Sequence, residues 1–244
     1  MQIGDIEFHY VSHVCFMFRS PGGATVITDP FWAESFEWNG HTERYLSPPD
    51  LPLERITECD AVFVSHNHGD HYDPVAVARI RRQTGARVLA PPDVIEDLLK
   101  RGEPREGLIS LEEGTEWRQG ELAVTALGGY DRAVDAQGRC IKFSILLQCG
   151  GTTFFYSGDC HQPPPAMRGR EVDALFLWPL RDEWKVRGFA ESFRFKNWVL
   201  MHGDRFAPGD FWCNLDMEEQ RRAMMRIVPQ ANIIVPKRIG DFPA

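Results

Sequence analysis

Three histidines and an aspartate fall within six consecutive positions of this chain, at His66, His68, Asp70 and His71. They directly follow Ala61-Val62-Phe63-Val64, a short buried-strand pattern. They precede Asp73-Pro74, which reads as a helix N-cap with proline at the first helical position. The cluster therefore occupies a strand-to-helix loop. Residues two apart in an extended segment point the same way, so His66 and His68 share a side, and the turn that follows returns Asp70 and His71 towards the same point. Imidazole plus carboxylate without thiolate suits zinc, and also manganese, iron or nickel.

The rest of the chain has ordinary globular proportions. Its 244 residues carry 27 Lys+Arg against 35 Asp+Glu, a net charge of −8, with 43% hydrophobic and 25% charged residues. Those figures exclude an intrinsically disordered chain. No apolar run approaches the roughly 18 to 20 residues that a bilayer-spanning helix needs. The acidic balance argues against coating a polyphosphate backbone, so no nucleic-acid partner is expected. Met1-Gln2-Ile3-Gly4-Asp5 lacks the basic flank and long apolar stretch of a secretory signal, which gives a cytoplasmic expectation. Cys15, Cys59, Cys140, Cys149, Cys160 and Cys213 include no C-x-x-C pair and read as small buried residues.

β-type runs at 6–11, 15–18 and 25–28 predict an antiparallel start, with a turn at Ser20-Pro21-Gly22-Gly23. Residues 30–55, rich in Pro, Trp and Phe and without a clean period, read as a loop carrying aromatic side chains, a candidate lid or pocket wall. Further strands are expected at 87–90, 121–127, 141–148, 152–156, 174–178 and 232–235. Helices are expected at 92–100, at 189–197 and after an Asp216 cap with Glu219 three positions on. With no repeat, long linker or low-complexity segment, the expectation is one α/β domain over residues 1–244.

The H-x-H-x-D-H pattern at His66, His68, Asp70 and His71 resembles the signature of the metallo-β-lactamase fold superfamily. Thr28-Asp29-Pro30, Tyr156-Ser157-Gly158-Asp159 and Leu200-Met201-His202-Gly203 resemble the rest of that family's pattern and occur in its order. With His13 ahead of the Asp-Pro motif, the chain is most similar to the branch containing an ascorbate-phosphate lactonase and the N-acylphosphatidylethanolamine phospholipase D. The resemblance implies a four-layer αββα sandwich, two mixed sheets packed face to face, with the site at one edge. It implies His66 and His68 on one metal, Asp70, His71 and His202 on a second, and Asp159 bridging them. His13 and Asp29 would stand behind and orient ligands. One departure stands out: the family usually supplies a third histidine to the first metal, yet none occurs between His71 and His161. Asp131 falls at the expected place, either as a substitute oxygen ligand or as a surface residue. His161 is a second surrogate, and a single-metal site is a third outcome.

The expected function is a metal-dependent hydrolase with one or two divalent ions, zinc ahead of manganese or iron. Its substrate would be a small molecule, an ester or lactone or else a phosphodiester. A metal-activated hydroxide would be the nucleophile, with Asp70 orienting the water or taking its proton. Arg132, Arg181, Lys185 and Arg187, in loops expected near the site edge, suit an anionic substrate or an ordinary solvated face. The competing expectation is a metal-binding protein of the same fold whose altered first site has lost turnover and serves binding or redox sensing. Nothing in the sequence sets the oligomeric state.

Overall fold

The computed structural model describes residues 1–128, 133–178, 182–203, 206–207 and 216–239. Two seven-stranded sheets organise it. The first runs in the order Gln2–Ile3, Ile6–Ser12, Cys15–Arg19, Thr25–Thr28, Ala61–Phe63, Arg87–Ala90, Leu108–Ser110. The second runs Glu116–Gln119, Leu122–Gly128, Phe143–Cys149, Thr152–Tyr156, Glu171–Leu177, Arg194–Leu200, Asn232–Ile234. In each sheet the first four strands pair antiparallel and the rest add parallel. The parallel strands need crossovers, and helices supply most of them.

The layering follows from the strand alternation. On the inner faces, Phe8 and Phe18 of the first sheet meet Phe154 and Phe176 of the second, with Phe18 and Phe176 rings 4.9 Å apart edge to face. On the outer face of the first sheet, Met17, Ile27, Val62 and Val88 pack against Val77 and Ile80 of helix Pro74–Thr84 and Val94, Ile95 and Leu98 of helix Pro92–Lys100. The outer face of the second sheet carries helix Glu183–Ser192, where Phe189 lies 6.5 Å from the Trp198 ring, and helix Met217–Ile227. This is the αββα sandwich that the resemblance implied.

Helix Pro74–Thr84 starts where Asp73 accepts hydrogen bonds from the Val75 and Ala76 amides, and it ends at Gly85 with φ 76°. The start matches its sequence signal, a side-chain cap, and the end is a left-handed glycine, a common helix stop.

Three expectations are corrected. The segment 189–197 is not a helix throughout: helix Glu183–Ser192 ends early, and Arg194–Leu200 is a strand. Its alternation of exposed Arg194 and Lys196 with half-buried Phe195 and Asn197 has period two, which suits a strand and not a helix. Residues 30–55 are not a bare loop. Ser35–Trp38 and His41–Tyr45 form a hairpin, extended by Phe206–Ala207 into a small third sheet. Asn39 and Gly40 both have positive φ (47° and 82°), the two-residue turn that an Asn-Gly pair favours. Lys185 and Arg187 lie on a helix, not in a loop, and pair with Asp182 (3.0 Å) and Glu183 (2.8 Å), which occupies their charge locally.

Candidate metal centre

The site forms where strand ends from both sheets converge. The first sheet contributes His13, in the turn between its second and third strands, and the His66–His71 loop after its fifth. The second contributes Asp159 after its fourth strand and His202 after its sixth. His13, Asp29, His66, His68, Asp70, His71, Asp159 and His202 come together here, and all but His68 are buried or nearly so. His13, Asp70, His71 and His202 are at most 1% exposed, and Asp159 retains 10% side-chain exposure.

Asp159 is the hub. Its Oδ2 lies 3.3 Å from His66 Nε2 and 3.5 Å from His68 Nδ1. Its Oδ1 lies 3.1 Å from both His71 Nε2 and His202 Nε2. One carboxylate thus faces two groups of imidazoles, one per oxygen. Two sets of atoms lie close enough together to hold an ion: His66, His71 and Asp159, and His13, Asp70 and His202. His71 sits between the sets, with Nε2 3.6 Å from Asp70 Oδ2. His13, expected behind the site, brings Nε2 to 3.2 Å from Asp70 Oδ2. His161 packs edge-on against Trp178 at 5.0 Å and belongs to neither set. Asp131, Arg132 and Arg181 lie outside the described residues.

Burial, with the neighbouring His71 charge, pushes the His66 pKa down to about 4; burial and His13 do the same to His202. Both rings are neutral at pH 7 and offer lone pairs. Burial also pulls His71 down, but the Asp159, Asp70 and Asp29 carboxylates outweigh it and hold His71 well above the ordinary imidazole value. Burial alone would raise Asp70 and Asp159, yet His71 and the other imidazoles beside them keep both carboxyls well below the usual range.

Behind the rings lies a layer only partly foreseen. Asp29, fully buried with φ 39°, accepts from the Ser65 amide at Oδ1 (2.6 Å). Its Oδ2 lies 2.7 Å from Ser65 Oγ, 2.8 Å from His71 Nδ1 and 2.7 Å from the Tyr156 hydroxyl. Ser65 Oγ in turn lies 2.9 Å from His66 Nδ1. Sequence reasoning missed Ser65 and Tyr156, although Ser65 abuts the motif. It also missed why two glycines stand here. A Cβ on Gly158 would lie 2.7 Å from Ser65 Cβ, and one on Gly69 would lie 2.6 Å from Phe36 Cβ. Gly69 thus lets the hairpin close onto the histidine loop, where Trp38 meets the His68 ring at 5.8 Å.

Two mixed sheets between helices, with an imidazole and carboxylate cluster at one edge, define the class: a metallo-β-lactamase fold with a candidate metal centre. Residues 24–203 match the family model described as a beta-lactamase superfamily domain, and the chain belongs to that family. It is 29% identical over 131 residues to a UPF0173 metal-dependent hydrolase of Rubrobacter xylanophilus, covering 52% of this chain and 47% of that protein. It is 43% identical over 60 residues to an N-acyl-phosphatidylethanolamine-hydrolyzing phospholipase D of Caenorhabditis elegans, covering 24% and 17% of the two chains. The metallo-beta-lactamase fold protein YhfI from Bacillus subtilis superposes with a TM-score of 0.60 at 13% identity, over 97% of this chain and 99% of that one, a likeness of fold. The match spans about half the length of the first of these curated relatives.

Proposed function

We propose that this protein is a metal-dependent hydrolase whose centre is built from His66, His68, Asp70, His71, Asp159 and His202. Asp159 is shared between two positions, and His13 completes the second. One observation carries the reading. His66 Nε2, His71 Nε2 and Asp159 Oδ1 are buried and make no hydrogen bond among the described residues, although these three side chains form one of the two sets close enough together to hold an ion. Each unpaired buried polar atom costs about 1–3 kcal/mol, so three aimed together are the donor set of a cation. The metal-dependent hydrolase name of the Rubrobacter relative supports the same reading.

A divalent ion bound here would supply Lewis acidity towards a carbonyl or phosphoryl oxygen and a hydroxide nucleophile at neutral pH. The chain's own residues do the rest. His66 and His202 present neutral nitrogens, and Asp29 holds the His71 ring in place. Asp70, kept ionised, would orient the attacking water or take its proton. The hairpin bearing Phe36 and Trp38 shields one side from solvent. The substrate class that suits this chemistry is an ester or lactone, or a phosphodiester.

The test is elemental analysis of the purified protein, followed by assays on p-nitrophenyl acetate, a γ-lactone and bis(p-nitrophenyl) phosphate. Turnover that a chelator abolishes and zinc or manganese restores is the expected result. Full metal occupancy without turnover on any of the three would favour the non-hydrolytic metal-binding reading, which the lack of a histidine between His71 and His161 makes concrete.

A further inference from the structure

We propose that Asp29 and Ser65 form a hydrogen-bond relay in which one buried carboxylate, besides holding the His71 Nδ1 proton directly, sets the tautomer of His66 through the serine hydroxyl.

The direction of each bond follows from its donors. The Ser65 amide can only donate, and it pins Asp29 Oδ1. Asp29 Oδ2 can only accept, so the Ser65 hydroxyl gives its hydrogen to it at 2.7 Å. With that hydrogen spent, Ser65 Oγ faces His66 Nδ1 at 2.9 Å as an acceptor, and Nδ1 must carry the proton. His71 Nδ1 likewise donates to Asp29 Oδ2 at 2.8 Å. The consequence is the same for both rings. Nδ1 keeps its hydrogen on the inside, and Nε2 is the atom that turns towards Asp159. Asp29, Ser65, His66 and His71 are all at most 2% exposed, so water does not compete for these bonds. Gly158 belongs to the device, because any side chain there would displace Ser65.

The relay makes an unusual prediction for Asp29→Asn. The Ser65 amide must still be accepted, so the asparagine carbonyl oxygen takes the Oδ1 place and its NH2 takes that of Oδ2. That NH2 now donates to His71 Nδ1 and to Ser65 Oγ, while the Tyr156 hydroxyl gives its hydrogen to the Val14 carbonyl, 2.8 Å away. The serine hydrogen swings to His66 Nδ1, whose own proton moves to Nε2, facing the ligand position, while His71 gives up its Nδ1 proton and keeps the one at Nε2. His66 thus changes tautomer although residue 29 does not touch it.

The proposal depends on the metal-centre reading only for its consequence in metal binding, so the two are measured separately. Tautomers are read on the metal-free protein by long-range 1H–15N correlation of 15N-labelled histidines. Zinc affinity is read by competition with a chromophoric chelator. Asp29→Asn is expected to move the His66 proton from Nδ1 to Nε2, and to weaken zinc binding by about 10–100-fold, the usual cost of losing an orienting partner. Ser65→Ala should remove the fixed tautomer at His66 alone, and adding Asp29→Asn to it should no longer alter His66. An unchanged His66 tautomer in folded Asp29→Asn overturns the relay. Should that variant not fold, an unchanged His66 tautomer in Ser65→Ala overturns it equally. A moved tautomer with zinc affinity unaltered would keep the relay and count against His66 as a ligand.

Discussion

At the scale of single residues, strain and charge concentrate at the centre. Four non-glycine residues among those described have positive φ, and three of them, His13, Asp29 and His202, belong to the site. Such backbones cost of order 1–3 kcal/mol each and persist where the surroundings enforce them. The charge distribution makes a prediction about protons. His66 and His202 are already neutral at pH 7, whereas His71 is held well above the ordinary imidazole value and carries two protons. Its Nδ1 proton stays on Asp29, so ligation at Nε2 must expel the other. Zinc binding near pH 7 should therefore release about one proton from His71, and the release should fall away as the pH rises past its raised pKa. Calorimetry in two buffers of different ionisation enthalpy measures the number, and release of none would contradict the assignment. A second prediction ranks ligands: His71→Ala should strip more bound metal than His161→Ala, whose ring packs on Trp178. Equal loss in the two purified variants would count against His71 as a ligand. The four-residue motif was legible because it is contiguous. Ser65 and Tyr156 were not, because their roles come from bonds to Asp29 across 36 and 127 positions, which no local pattern carries.

At the scale of elements, the hairpin Ser35–Trp38 and His41–Tyr45 shows where local reading failed and why. Four-residue strands give too few alternations to register a period, and the aromatic content of 30–55 masked the Asn39-Gly40 turn. The same hairpin buries Glu43 completely. Its Oε1 meets His41 Nε2 at 3.1 Å, while Oε2 has no hydrogen-bond partner among the described residues. Glu43 pairs across the hairpin with Phe36, so it shares the face that closes over Gly69. A buried carboxylate with one unpaired oxygen costs stability that an apolar side chain of similar length would not. Glu43→Met should therefore stabilise the protein by about 1–3 kcal/mol. That corresponds to a melting temperature higher by about 2–4 °C per kcal/mol for a chain of this size. His41, with 38% side-chain exposure, can turn to water instead. A lower melting temperature in Glu43→Met would show that the carboxylate is satisfied in a way that this argument overlooks.

At the scale of the whole molecule, the two halves repeat one plan. Each sheet runs four antiparallel strands and then adds three parallel ones, and Asp29 and Asp159 follow the fourth strand of their respective sheets. The repeat is one of topology, which is why no sequence repeat announced it, whereas the strand runs announced an α/β domain and the resemblance carried by the ordered motifs announced the sandwich. The two carboxylates have diverged in role. Asp29 faces backwards to Ser65, His71 and Tyr156, while Asp159 faces the cluster. Because His66 and Asp70 come from the first half and Asp159 and His202 from the second, a bound ion would tie the sheet ends together. The shared inner core, with Phe8 and Phe18 against Phe154 and Phe176, exists without it. Chelation should accordingly leave the far-ultraviolet circular dichroism unchanged and lower the melting temperature. A free metal concentration a hundredfold above Kd adds about 2.7 kcal/mol to the folded state. At about 2–4 °C per kcal/mol, its removal should cost roughly 5 to 10 °C. Because one core spans both sheets, the metal-free protein should still melt in a single step, with tryptophan fluorescence and circular dichroism coincident. Loss of the circular dichroism signal on chelation would mean that the ion, and not the core, holds the halves together. Two separated transitions would mean that the sheets fold as independent units.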